Sequence, residues 1–563
     1  MKKSLIVITV VSAFLASCDS GGLKIEPTTV DNSTNNSVTN PPAAATAVNP
    51  CASYQNTGGQ IIQGTFDGLD CVYAPTFVDA GNNLTVDMTI PNLASDGAHR
   101  FLGSLFVGQT YDTDAALTDA GIAVGGDGPV LTVEAGATLA FTSSSAFLIV
   151  NRGSQIFAVG TVNSPITFTS VSDVESARAA TPSLAFDAVQ QWGGMVINGF
   201  GITNKCVYTG TAGAANLATS DCHVDAEGAA GLDESQYGGD NNNDSSGRLE
   251  YVRVKHTGAQ VANGDELNGI SFGAVGRNTI VNNLEVYSTF DDGIEMFGGA
   301  VNFNNFVALY VRDDAIDIDE GYSGSITNAL VIQAESDGNH CIEADGIGSF
   351  SSLTSAEIES IIAQGIHSQP TITNLTCIIS PNTAATATHD PGAGWRLREG
   401  IFPTISDSMV VAIGADDQAD SNDNYCLRID NRSAQAAQDG DLVIRSSLFS
   451  CAQKDRGALP DATTVQAFAE AAGNQFSTIV ATGANPTSVA DTDLVILEVG
   501  SSSTAPIFSV ALGSMVVDGA ALAVTPTPVS GKLGGLTIAA PDWTADWTYG
   551  IHAGSRAIPL WFE

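Results

Sequence analysis

Apolar and polar positions repeat along the middle of this chain. The segment NNLEVYSTFDDGIEMF, Asn282 to Phe297, realigns on NNFVALYVRDDAIDID, Asn304 to Asp319, after a shift of 22 residues. Asn-Asn falls on Asn-Asn, Asp291-Asp292 on Asp313-Asp314, and Ile294 on Ile316. Looser copies on either side place Ile270 and Ile342 in the same slot, at offsets of 24 and 26. Each unit has two short β-like runs between Asn, Asp and Gly corners, and none can bury its apolar side alone. The units must stack. The pattern predicts an all-β chain, a right-handed parallel β-helix solenoid with irregular N- and C-terminal caps.

The same reading divides the chain. Residues 1–17 form an apolar leader, and 18–50, rich in Asn, Thr, Ser, Pro and Ala, a flexible tether. A cap of short strands is expected over 51–127, since an open last coil would expose core and strand edge. Regular coils should start at Val130, with VLTVEAGATLAF, FLIVNRGSQIFAVGT and PITFTS, so the solenoid runs over 128–455. It is interrupted by an insertion, 199–247, where a functional loop would sit. Later strand-like pieces are Ile372 to Ile379, Trp395 to Arg398, Met409 to Ile413, Leu427 to Asp430 and Leu442 to Phe449. Helices are expected over Ser355 to Gln364 and about Thr463 to Ala472. Residues 456–563 supply the last coils and cap, closed by Leu494 to Val529 and a Trp-rich end.

Equivalent residues of successive coils stack about 4.8 Å apart. With Ile270, Ile294, Ile316, Ile342, Trp395 and Leu427 pointing inward, the next residues form an outer column: Ser271, Glu295, Asp317, Glu343, Arg396 and Arg428. Two positions further lies a second outer column: Gly273, Phe297, Asp319, Asp345, Arg398 and Asp430. An acidic ladder thus runs into an arginine patch. Two carboxylates about 5 Å apart repel by roughly 3 kcal/mol at an effective dielectric of ~20. A row of them must recruit a cation, share protons or pair with the arginines. The alternatives are a solvated face with an ordinary Glu343–Arg396 ion pair, a carbohydrate-facing groove with Tyr287, Phe297 and Tyr310 as exposed aromatics, or a catalytic site.

Charge sharpens this. There are 61 acidic against 21 basic residues, a net charge of −40, which disfavours nucleic acid as a partner and makes divalent cations the natural one. Calcium is the expected cofactor. Asp240, Asn242 and Asp244 have alternating oxygen-ligand spacing, although Ser245 stands where an EF-hand needs Gly and no Glu closes the loop. Asp416, Asp420 and Asn422 form a second candidate, and the Asp291, Asp292 and Asp313 corners a third. No C-x-x-C or H-x-x-x-H pair occurs, and Gly269 to Gly273 matches G-x-S-x-G only formally, inside a strand.

At the N-terminus, Lys2-Lys3 precede an apolar run from Leu5 to Leu15, too short to span a bilayer comfortably. Leu15-Ala16-Ser17-Cys18 resembles a bacterial lipobox, which implies lipidation at Cys18 and a membrane anchor in the bacterial cell envelope; the outer membrane or cell surface is expected ahead of the inner membrane, although Asp19 resembles an inner-membrane retention signal and the choice of membrane stays open. Eight cysteines remain, an even number in an exported chain. Of the 105 pairings, a solenoid favours sequence neighbours: Cys51–Cys71, Cys206–Cys222, Cys341–Cys377 and Cys426–Cys451.

Three further stretches carry a family likeness. GTVNSPITFTS followed by Gln191-Trp192-Gly193-Gly194, the Asp-rich coils and the terminal Trp543-Thr544…Trp547-Thr548 together resemble extracellular bacterial β-helix lipoproteins of the pectin-lyase-like kind. That likeness implies fold and location and carries no activity with it; the expected role is a binding face whose ligand is a glycan or a partner envelope protein, such as a nutrient-uptake transporter, with a polysaccharide hydrolase or lyase and a structural or adhesive spacer as the alternatives. Arg312-Asp313-Asp314-Ala315-Ile316-Asp317-Ile318 resembles the D-D-x-I-x-I strand of polygalacturonase-type glycoside hydrolases. It implies Asp314 as acid with Asp292 or Asp317 as base, but the Gly-His-Gly and Arg-Ile-Lys motifs are missing, and Arg428-Ile429-Asp430 lacks the lysine. A pectate-lyase likeness would instead put calcium on the ladder, with Arg396 as the base. Whether the protein is an enzyme stays open at this point.

Overall fold

The computed structural model describes residues 49–78, 81–228, 235–262, 265–380, 392–412, 424–451 and 453–477, and more sparsely 479–561. The leader, the tether and Cys18 lie outside the described residues, as do Asp416, Asp420 and Asn422.

Strand pairing across coils is parallel. One sheet has ten strands, from Leu105–Val107 through Leu148–Val150, Met195–Asn198, Ile270–Gly273, Ile294–Phe297, Ile316–Asp319, His340–Asp345 and Ala393–Arg398 to Tyr425–Ile429 and Gln453–Arg456. Its register pairs Ile270 with Ile294, Ile294 with Ile316, Ile342 with Trp395 and Trp395 with Leu427. All six inward residues are fully buried. At roughly 1.5–3 kcal/mol for each large apolar side chain buried, this inner column holds the coils in phase against the repulsion outside.

The opposite side of the coil is built from longer strands, Gly247–Lys255, Ile280–Tyr287, Asn302–Leu309, Ser325–Ile332 and Thr371–Ile379. Each bends in its middle at a non-glycine residue with positive φ: Tyr251, Asn283, Asn305, Asn328 and Asn374. Asparagine tolerates this left-handed conformation better than most residues. Stacked, the amides bond one another: Asn305 Nδ2 donates to Asn283 Oδ1 at 3.0 Å, and Asn328 Nδ2 to Asn305 Oδ1 at 3.2 Å. The repeated Asn-Asn of the sequence is this corner.

Four disulfides form as neighbour pairs: Cys51–Cys71, Cys206–Cys222, Cys341–Cys377 and Cys426–Cys451. The helix over Ser355–Gln364 has the expected bounds and is capped reciprocally by Thr354 and Glu357; the later one spans Val465–Ala471. Helices at Asp114–Ala120, Val171–Arg178 and Asn431–Asp439 were not legible.

Two further expectations are revised. Parallel pairing begins before Val130: Cys71–Tyr73 pairs with His99–Phe101, which pairs with Thr138–Phe141, through three-residue strands too short to alternate visibly. The Trp-rich end does not close a coil end; it crosses the outer side of the long strands. Leu533, Leu536, Ile551 and Leu560 pack there on Leu309, Leu330, Ile332, Ile378 and Met409.

Candidate functional site

The coil register brings the predicted column together. Ser271 pairs with Glu295, Glu295 with Asp317, Asp317 with Glu343, Glu343 with Arg396, and Arg396 with Arg428. Beside it, Phe297 pairs with Asp319 and Asp345 with Arg398. Asp430 leaves the column, because the strand ends at Ile429 and Asp430 takes the N-cap position of the next helix.

The two ends of the column differ. At the arginine end the charges are matched. Arg396 Nη1 and Arg398 Nη2 reach the two oxygens of Glu343 at 2.8 and 2.9 Å, Arg398 Nε reaches Asp345 at 2.5 Å, and Arg428 Nε reaches Asp430 at 2.5 Å. Arg396, proposed as a free base by the lyase likeness, is therefore engaged. At the other end, among the described residues, no ion pair reaches Asp291, Asp292, Glu295, Asp313 or Asp317. Candidate ligand oxygens of Asp291, Asp292 and Asp313 lie within 4.8 Å of one another, as do those of Asp292, Asp314 and Asp317.

A third column, two positions before the inward one, was not read from the sequence. It runs Asn268, Asp292, Asp314, His340, Ala393, Tyr425. Asp292 Oδ1 accepts from the amide of Asp314 at 2.9 Å, and Asp314 Oδ1 from the amide of His340 at 2.6 Å. Each corner aspartate thus satisfies the backbone amide at the matching position of the next coil. Asp314 Oδ1 also meets His340 Nδ1 at 2.8 Å, while His340 Nε2 meets the Tyr425 hydroxyl at 2.8 Å across the small Ala393. The alignment through the isoleucines contained this column; only the outward one was followed.

Burial decides the electrostatics. It pushes Asp291 up to about 9, with Glu227 as the next cause. Burial and then Asp291 raise Asp292 well above the carboxylate range; burial and Glu227 raise Glu295. Asp314 and Asp317 are raised by burial and then by Glu343, and Asp319 by burial and Glu320. His340 goes the other way, down to about 4, because burial disfavours its cation. Water is kept from part of this face by the insertion. Its Tyr237 hydroxyl donates to Glu320 at 2.7 Å, the Tyr237 ring lies 5.9 Å from Phe297, and Glu227 shares Asn268 with Glu295. Glu227 gave no signal in the sequence, since an insertion has no register.

Three expectations fail on geometry. The Asp240, Asn242 and Asp244 run is not presented as a calcium loop. Asp244 is buried and its oxygens accept from the amides of Gly125 and Phe200, while Asn242 Oδ1 accepts from Ile202. These side chains tie the end of the insertion to its own start, and Asp244 also ties it to Gly125. The aromatic platform is missing too: Tyr287 and Tyr310 are buried under the C-terminal segment, and Phe297 packs against Tyr237. The ladder is not a bare outer face, as Glu295 is 8% exposed.

A family model for a pectate-lyase-like β-helix domain matches residues 108–485. No curated protein and no solved structure was found to match.

Proposed function

The chain belongs to the pectate-lyase-like β-helix family, and from that premise we propose that it is a lipid-anchored cell-envelope protein whose coil is a calcium-dependent carbohydrate-binding module. Family membership suggests a carbohydrate-related or structural role. The observation that carries the finer reading is the unmatched end of the column. Asp292, Glu295 and Asp314 are buried together with no cationic side chain between them, and Asp317 Oδ1 is buried without a hydrogen-bond partner. Carboxylates so placed must stay protonated or take up a cation.

The donor set fits calcium. The oxygens of Asp291, Asp292 and Asp313, with those of Asp314 and Asp317, are hard ligands at close mutual approach. An ion bound there would neutralise the cluster and offer its open positions to sugar hydroxyls or carboxylates. The matched arginines beyond Glu343 would then face the acidic groups of the same chain of sugars. The envelope location rests on the Cys18 lipobox. No helix among the described residues is long and apolar enough to cross a membrane.

Hydrolysis is the second reading, and one observation favours it. Glu343, held by two arginines, lies beside Asp314, with candidate oxygens within 4.8 Å. An acid raised by burial beside a carboxylate held by two arginines is the arrangement a retaining hydrolase uses. With Asp292 or Asp317 as the base the scheme fails, because burial raises both partners together instead of separating them.

A glycan array with and without calcium separates the readings. Calcium-dependent binding is expected, lost in an Asp314→Asn, Asp317→Asn double variant, and chelation should lower the melting temperature by several degrees. Calcium uptake with no glycan bound would leave a structural role; release of reducing ends from an array glycan would favour the hydrolase.

A further inference from the structure

We infer that a cleft between the insertion and the coil corners binds a short aliphatic peptide with free termini, at a site separate from the acidic column and independent of what that column holds.

The cleft has a volume of about 600 Å³, the size of a site for a small molecule or a few residues of peptide. Its lining has two chemistries. Ile202, Ala212, Leu217 and Ile366 are aliphatic, and they belong to a small apolar cluster of their own, built on Ile202, Tyr208 and Ile366. The run Ala212-Gly213-Ala214-Ala215 lines the cleft beside them, and side chains no longer than a methyl keep the space clear. The polar part of the lining includes Asp240, Asn243, Arg277 and Ser323.

Both parts are tied down before any ligand arrives. Across the loop that carries the alanines, Thr209 and Ala218 exchange backbone bonds at 2.9 and 3.1 Å. The Ala212 amide donates to the Gln364 carbonyl at 2.8 Å, at the end of the helix Ser355–Gln364, and Gln364 Nε2 donates to the Tyr208 carbonyl at 2.9 Å. In the polar part, the Arg277 amide donates to the Asn242 carbonyl at 2.9 Å and Asn278 Nδ2 to the Asn243 carbonyl at 2.5 Å. Asn242 Nδ2 donates to Ser323 Oγ at 3.3 Å. A cleft held in this way loses little conformational freedom on binding.

The unspent groups identify the ligand. Asp240 and Arg277 are exposed, and among the described residues neither side chain makes an ion pair or a hydrogen bond, with the other or with a third group. The Asn243 side-chain amide is unspent in the same sense. In a chain of 61 acidic and 21 basic residues, an arginine without a carboxylate partner is open to one from outside. Asp240 offers the matching acceptor for an ammonium group, and Asn243 can both donate to and accept from a peptide unit. No aromatic side chain among the described residues lines the cleft, so a sugar ring has nothing to stack on. A carboxylate, an ammonium, an amide between them and aliphatic side chains together make a short peptide of Leu, Ile or Val. Capture of a free terminus beside an apolar pocket is an ordinary mode of peptide recognition.

Isothermal titration of the full chain with leucyl-leucine tests this. Wild type should bind it, and should bind N-acetyl-leucyl-leucine and leucyl-leucine amide about tenfold more weakly, since each lacks one charge. Arg277→Gln should weaken leucyl-leucine about tenfold and no longer distinguish it from the amide. Asp240→Asn should weaken it by about the same factor and no longer distinguish it from the acetylated peptide. Both positions are exposed, so both variants keep the fold. Leu217→Ala should weaken all three peptides, and the Asp314→Asn, Asp317→Asn variant should bind them as wild type does. No binding of any of the three by wild type, or equal binding by wild type and Arg277→Gln, overturns the inference and leaves the reading of the acidic column untouched.

Discussion

Glu285 shows how one residue's environment turns into a measurable property. It lies in the strand Ile280–Tyr287, fully buried, and one oxygen accepts from the Tyr549 amide at 2.8 Å while the other has no partner. Burial pushes it from 4.5 up to about 7, against the opposing pull of Arg253, the Tyr549 amide and Lys255. Lys255 itself is spent on Asp173 at 2.8 Å and on the face of Tyr549. Between these two pH values the folded chain keeps a proton that the unfolded chain releases, so Glu285 makes stability fall as pH rises through that window. Glu285→Gln should raise stability at pH 8 by about 1–3 kcal/mol and change nothing at pH 4. Melting temperatures of variant and wild type at the two pH values check this; equal values at pH 8 would refute it. The same scale carries the corrections at Asp244 and Asn242. Their spacing suggested a metal, but which group an oxygen meets is decided by distant segments, here Gly125, Phe200 and Ile202.

The element that best rewards reading is the bent strand. Its Asn corner was visible as the repeated Asn-Asn, and the reason is backbone geometry: Asn305 sits at φ 61° and bonds its neighbours above and below. Asn305→Ala should cost about 2 kcal/mol, from the lost ladder bonds and from forcing a Cβ residue without a polar head into that conformation. Asn305→Gly loses the same bonds but relieves the backbone, so it should cost less than alanine does. The reverse order in denaturant titrations would show that the positive φ at this corner carries no strain that glycine relieves. The short strands are equally legible where a unit repeats. Ile270, Ile294, Ile316 and Ile342 fall in one register, and with them the ladder of Glu295, Asp317 and Glu343. Helices such as Val171–Arg178 escaped, because eight residues with no clear apolar stripe give periodicity nothing to find.

Across the whole molecule, the coil has two outer surfaces under cover. The insertion lies over part of the acidic columns, and the C-terminal segment lies over the long strands. The second cover explains why AlaLeuValIle at 329–332 is buried throughout: residues on both sides of the strand have something to pack against. Arg253 Nε donates to the Trp547 carbonyl, and Trp561 Nε1 donates to the Gln333 carbonyl at 3.0 Å, so the segment is pinned in its middle and near its end. Truncation before Trp543 would expose Leu309, Leu330, Ile332 and Ile378, with a loss on the order of several kcal/mol and a surface that self-associates. A truncated chain that melts at the wild-type temperature and stays monomeric by light scattering would contradict this role.

What the chain's own letters determined is whatever repeats. A coil translates each position onto its equivalent in the next, so a one-dimensional offset becomes a spatial neighbour, and the inward isoleucines, the acidic ladder, the arginine end and the Cys341–Cys377 disulfide follow from it. Tertiary structure alone decided what departs from the repeat. The insertion and the tail return to the coil through contacts between residues far apart in sequence, Glu227 with Asn268 and Glu285 with Tyr549 among them. Their folding back removes water from the carboxylates, and that burial makes the column a place where protons or cations must be held.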